Sequence, residues 1–148
     1  MNFVEYEKEC EKIRNDNKKY LEIFQSEMIE KGLSEKTIQS HLNNIDFYIN
    51  DFLLREEPIP MNQGYQYVDM FLGDYFIRKC MWSTPSTIKS TAASLKKFYK
   101  CMLEHYMVKK EDYQELTETI KENMDEWLED CSMYNDPDQD NPFYLFDV

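Results

Sequence analysis

The sequence predicts an all-α fold on three observations. There are only 3 Gly and 5 Pro in 148 residues, β-branched runs alternating with period two are missing, and apolar residues recur instead at three- and four-residue spacing. The length suits one domain, and an apolar content of 42% with 15% aromatic residues is too much buriable surface for a disordered acidic chain. The expected architecture is two helical hairpins packed across each other, a fifth C-terminal helix and an irregular acidic tail. The helical domain would cover residues 1–133 and the tail 134–148.

Helix one is expected over residues 5–31, with Cys10, Ile13, Leu21, Phe24 and Met28 on one face and Gly32 as a left-handed C-cap. Ser34 is the next N-cap, with Leu33 and Ile38 placed as a hydrophobic staple. Helix two then runs through Leu42, Ile45, Ile49, Phe52 and Leu53 until Pro58 and Pro60 break it, leaving 55–66 as a linker. Helix three covers 67–81 through Val68, Leu72, Tyr75, Phe76 and Cys80, with Gly73 marking a close helix contact. Thr84 followed by Pro85 starts helix four, which continues through Ile88, Ala92, Leu95, Tyr99, Met102 and Tyr106. Helix five spans 110–133 through Leu116, Ile120, Met124, Trp127 and Cys131.

Residue n matches residue n + 50 over part of the chain: Thr37-Ile38-Gln39-Ser40 against Thr87-Ile88-Lys89-Ser90, Ile45 against Leu95, Tyr48 against Phe98, and Leu53 against Leu103. This echo is the basis for expecting two related hairpins, although any two amphipathic helices match once their apolar phases are aligned.

Charge is segregated. The net charge of −12 excludes a surface that is basic overall. Residues 1–77 carry 8 basic and 15 acidic side chains, for −7. Residues 78–110 carry 8 basic side chains against Glu104, for +7, and residues 111–148 carry Lys121 against 13 acids, for −12. With Ile88 at zero on a helical projection, Lys96, Lys89, Lys100 and Lys97 fall at about 80°, 100°, 120° and 180°, a solvent-side stripe roughly 16 Å long. Ser86, Ser90, Thr91, Ala93 and Ser94 are short residues expected between them, so a phosphate backbone would approach closely and take hydrogen bonds from hydroxyls and from the helix start. Arg78 and Lys79 extend the basic block. The matching face of helix two carries Gln39, Asp46 and Asn50 instead. The same lysines would also serve as a solvated face, or as a dock for the acidic C-terminal third acting as a DNA mimic.

Other chemistry finds little support in the sequence. No run reaches the ~18–20 apolar residues of a membrane span, and the acidic N-terminus is unlike a signal peptide, so no membrane association and a cytoplasmic location are expected. Cys10, Cys80, Cys101 and Cys131 lack CxxC spacing, which fits reduced thiols and argues against zinc. Asp136, Asp138 and Asp140 open like a calcium loop, but Asn141 and Asp147 stand where Gly and Glu are required. His41 and His105 read as isolated. No metal, cofactor or catalytic residue is expected.

Gly32-Leu33-Ser34-Glu35-Lys36-Thr37-Ile38 with the following helix, and Ser83-Thr84-Pro85-Ser86-Thr87-Ile88 through Ala92, Leu95, Lys96, Phe98 and Tyr99, resemble the N-terminal core-binding domain of tyrosine recombinases and phage integrases over about residues 10–107. The resemblance implies a SAM-like helical module that clamps duplex DNA, with Lys89, Lys96, Lys97 and Lys100 facing it. The family's catalytic half needs a His-x-x-Arg element, and here His41 is followed by Leu-Asn-Asn and His105 by Tyr-Met-Val. The expectation is therefore a non-catalytic, integrase-like module contacting DNA through helix four, with Arg78, Lys79, Ser86 and Ser90 at its margin. The alternative is an acidic protein-interaction module that kept the scaffold and uses its C-terminal third to hold a protein partner.

Overall fold

The computed structural model describes residues 1–136, and among these every regular element is helical. Helix α1 (Phe3–Glu30) starts in a capping box formed by Asn2 and Glu5 and stops at Gly32, whose φ of 80° is the left-handed turn expected of it. Helix α2 (Glu35–Asp46) is capped by the Ser34 hydroxyl and passes into a π-helical turn, Phe47–Phe52. A 3₁₀ turn (Met61–Gln66) follows, then α3 (Val68–Met70), a second π turn (Phe71–Tyr75) and α4 (Phe76–Lys79). Helices α5 (Pro85–Glu104) and α6 (Lys110–Asn135) complete the chain, so the helix expected to end at 133 continues through Tyr134 and Asn135. No helix among the described residues is long and apolar enough to cross a membrane.

Three expectations change. The region 67–81, expected as one α-helix, is continuously helical from Val68 to Lys79 but carries a π turn, Phe71–Tyr75, in its middle. Across the second π turn the rings of Phe71 and Phe76, five residues apart, meet edge to face at 5.6 Å. The two π turns face each other through Tyr48 and Phe71 at 4.8 Å and Phe52 and Tyr75 at 5.0 Å, with the Arg55 guanidinium 4.0 Å from the centre of the Phe52 ring. The wider turn also bares a carbonyl: buried Asn17 donates to the oxygen of Ile49 at 3.2 Å and ties α1 to α2.

The linker is the second change. Met61 and Gly64 are buried in the core, and Tyr99 and Tyr48 donate to their respective backbone carbonyls. Prolines in 55–66 broke the helical pattern, but the segment folds inward because buried tyrosine hydroxyls need acceptors. Tyr106, third, is not a core residue. It is 95% exposed with φ 63°, and it closes α5 with hydrogen bonds from Tyr106 N–H to Leu103 and Met107 N–H to Met102.

Helix α6 does more than cap the bundle. It runs antiparallel along α5, with Tyr113 near Glu104, Ile120 near Lys96, and Asn135 donating to the Ser83 carbonyl at 2.9 Å. It also packs on the 61–79 segment. There buried Trp127 donates to Asp69 at 2.8 Å and lies over Gly73, where an added Cβ would sit 2.6 Å from the indole nitrogen. Gly73 does mark a close helix contact.

Candidate nucleic-acid interface

The lysines of interest ride on α5, so their placement follows from how that helix is made. Thr84 accepts from the Thr87 N–H at 3.1 Å, Thr87 Oγ1 accepts from the Thr84 N–H at 2.7 Å, and Pro85 at the first helical position has no N–H to leave unpaired. The cap consumes most of the free donors expected at the helix start, leaving the Ser86 N–H in the first turn outside it.

Burial divides α5 nearly in half. Ile88, Ala92, Leu95, Phe98, Tyr99, Cys101 and Met102 face the core, and Thr91 and Ser94 join them. Those two residues are a correction: they do not lie between the lysines but inside the bundle. A helix packed on two sides buries more than its apolar stripe, so short polar residues at the stripe's edge are covered when partners meet them. Ser94 sits where α5 crosses α2. Its hydroxyl lies 3.1 Å from the Ser90 carbonyl and receives Asn44 at 3.0 Å, with His41 Nδ1 at 2.7 Å. The direction of the His41–Ser94 hydrogen bond follows the ring's tautomer, since the hydroxyl's single proton can go to Nδ1 or to the Ser90 carbonyl. Burial, and then the nearby charge of Lys97, hold the His41 pKa below its ordinary value.

The opposite half of α5 holds the predicted site. Lys89, Lys96 and Lys100 are exposed and Lys97 is half-buried, while Ser86, Ser90 and Ala93 between them are exposed. The Ser90 hydroxyl bonds back to the Thr87 carbonyl at 3.1 Å. Among the described residues no carboxylate pairs with any of these four lysines within 4.0 Å. Helix α6 runs along one flank of the stripe, where Lys96 and Lys121 border a groove of about 430 Å³ that also contains Glu118. Of the expected tail, 134–148, residues 137–148, including the calcium-like Asp138, Asp140, Asn141 and Asp147, lie outside the described residues.

Arg78 lies on α4, outside the helix that carries the four lysines. It is half-buried and its Nε donates to Asp74 at 2.7 Å, so its charge is locally answered. Lys79 is exposed at the end of α4, before the chain turns through Cys80 to Thr84.

His105, which reads as isolated in the sequence, stands beside Cys101 and Glu27 in the fold. The spacing of Cys101 and His105, one helical turn apart, was the visible signal for that grouping; Glu27 on α1 had none.

Comparison of the chain with protein-family models, with characterised proteins and with solved structures finds no match.

Proposed function

We propose that the chain is a non-catalytic module that holds duplex DNA by its phosphates through Lys89, Lys96, Lys97 and Lys100 of α5. The observation that supports it is a row of cations on one helix face, three exposed and one half-buried, with no acidic partner among the described residues although the chain is strongly acidic. A solvated lysine face in such a chain would more readily have found carboxylates, since opposite charges at helical spacing stabilise each other. Ser86 and Ser90 are exposed on the same helix as the row. In this reading the module acts in the cytoplasm, beside a catalytic or regulatory partner.

A salt titration tests the reading. Four phosphate contacts give a slope of about −3.6 in log K against log salt, so affinity falls roughly 100-fold between about 50 and 200 mM salt. Changing Lys89, Lys96, Lys97 and Lys100 together to Gln removes both binding and slope while the helical circular dichroism stays unchanged. A quadruple variant that binds DNA like the parent refutes the stripe.

A second reading is supported by α6, which exposes Glu111, Glu115, Glu118, Glu122, Asp125, Glu126 and Glu129. Such a face suits a basic protein partner, and it gains ground if the parent shows no DNA affinity at low salt.

A further inference from the structure

The far end of α5 carries a set of side chains that the DNA reading does not use. Cys101 and His105 are one turn apart on its last turn, and Glu27 of α1 lies against them. A sulfur, a ring nitrogen and a carboxylate oxygen from the three residues all lie within 4.8 Å of one another. Elements far apart in sequence bring them together: α1 packs on α5, and the left-handed turn at Tyr106 ends the helix just beyond His105.

The donor set has a chemical preference. A thiolate, an imidazole and a carboxylate together suit zinc, which takes three protein ligands and leaves a fourth position for water. Tetrahedral zinc with bonds of about 2.0–2.3 Å holds its ligand atoms about 3.3–3.8 Å apart, so the trio has to close by about 1 Å. His105 is exposed and has room to turn toward Glu27, whose side chain is 14% exposed, and toward the buried Cys101, which anchors the set. A surface depression of about 420 Å³ bordered by Lys19, Glu22, Glu27, Glu30 and His105 opens two of the three ligands to solvent. Glu104 adds a further negative charge beside Glu27 and Cys101.

Two features oppose a metal in the resting protein. Lys31 Nζ lies 3.5 Å from Glu27 Oε1, but its side chain is 52% exposed and free to swing into water. Burial, followed by the hydrogen bond and charge of Glu27, pushes the Cys101 thiol up to about 12, so it is protonated until a cation replaces its proton.

We propose that Glu27, Cys101 and His105 form a zinc site that clamps α1 to the C-terminal end of α5, with water as the fourth ligand. On binding, the thiol proton leaves to solvent and a zinc–sulfur bond takes its place, while Glu27 exchanges Lys31 for the metal. No group is oxidised or reduced. The site is independent of the lysine face, and its test does not involve DNA.

The experiment uses the full chain, purified with chelator and titrated with cobalt(II) as a coloured stand-in for zinc. One equivalent is expected to give a thiolate-to-cobalt charge-transfer band in the near ultraviolet and the intense visible bands of a tetrahedral ion, both erased by zinc. Cys101→Ser removes the ultraviolet band. His105→Gln alters an exposed side chain and Glu27→Gln is isosteric, so both keep the fold, and each weakens binding by more than the ~10–100-fold that follows loss of an outer-sphere partner. The site is overturned if the parent gives no sulfur band, if the band survives Cys101→Ser, or if His105→Gln and Glu27→Gln bind cobalt as tightly as the parent.

Discussion

Helices α2 and α5 begin alike and diverge outward. Each is opened by a hydroxyl cap that accepts from a threonine N–H three residues on, Ser34 from Thr37 at 3.2 Å and Thr84 from Thr87 at 3.1 Å. They cross where Asn44 meets Ser94, positions fifty apart in the sequence echo. The outer face of α2 spends its polar groups on itself, Gln39 donating to Asn43 at 2.8 Å and Asn50 to Asp46 at 2.6 Å. The outer face of α5 presents lysines that pair with no carboxylate among the described residues. Apolar phase and capping dictate how both helices enter the core, and they recur because the packing problem recurs. What a helix offers to a partner is set by the residues that packing leaves free, and there the two have nothing in common.

The largest test of what the helices share is aimed at the segment both of them hold. Tyr48, just beyond α2, and Tyr99 of α5 each donate to the backbone of the 61–66 turn. A Cβ on Gly64 would lie 2.2 Å from the Tyr99 hydroxyl, 3.1 Å from Leu53 and 3.2 Å from Tyr48, all buried. Gly64→Ala should therefore cost roughly 2–4 kcal/mol, from overpacking plus a disturbed buried hydroxyl. Urea unfolding at unchanged m-value measures it, and a loss below about 1 kcal/mol would show that the turn is not held between the helices. A smaller effect is expected at the crossing. Ser94→Ala leaves His41 and Asn44 without their shared partner, at roughly 1–3 kcal/mol, and restoring most of that stability by a second change, Asn44→Ala, would identify the unsatisfied amide as the cause.

Much of this arrangement was legible in the residues themselves. Gly32, Ser34 and the Thr84-Pro85 pair announced their helix ends because capping is a local matter, and the four lysines fell on the solvent side because 100° per residue holds along a straight helix. The π turns escaped because that same constant fails over Phe47–Phe52 and Phe71–Tyr75, and in the second the rings of Phe71 and Phe76 pack five residues apart. The inward fold of 61–66 and the burial of Thr91 and Ser94 depend on tertiary partners, and hydrophobic periodicity carries no information about polar groups that become satisfied inside. The position of α6 between α5 and the 61–79 segment was hidden for the same reason, although Gly73 signalled one of its contacts. Of the Glu27, Cys101 and His105 grouping, only the one-turn spacing within α5 was visible, and a search for paired cysteines passes over it.

The gentlest test titrates the crossing. His41 reaches from α2 to Ser94 of α5 through Nδ1 at 2.7 Å, and burial together with Lys97 depresses its pKa from 6.5. The unfolded chain accepts a proton near that value while the folded one resists it, so the unfolded state binds more protons below about pH 6.5 and stability falls as pH falls. His41→Asn keeps an N–H donor for Ser94 and cannot titrate. Its stability should change less than the parent's between about pH 6.5 and 5, measured by urea unfolding of both proteins in the same chelator-containing buffer. Equal slopes would mean that His41 protonates as freely in the fold as outside it, and that the contact between α2 and α5 is a packing contact alone.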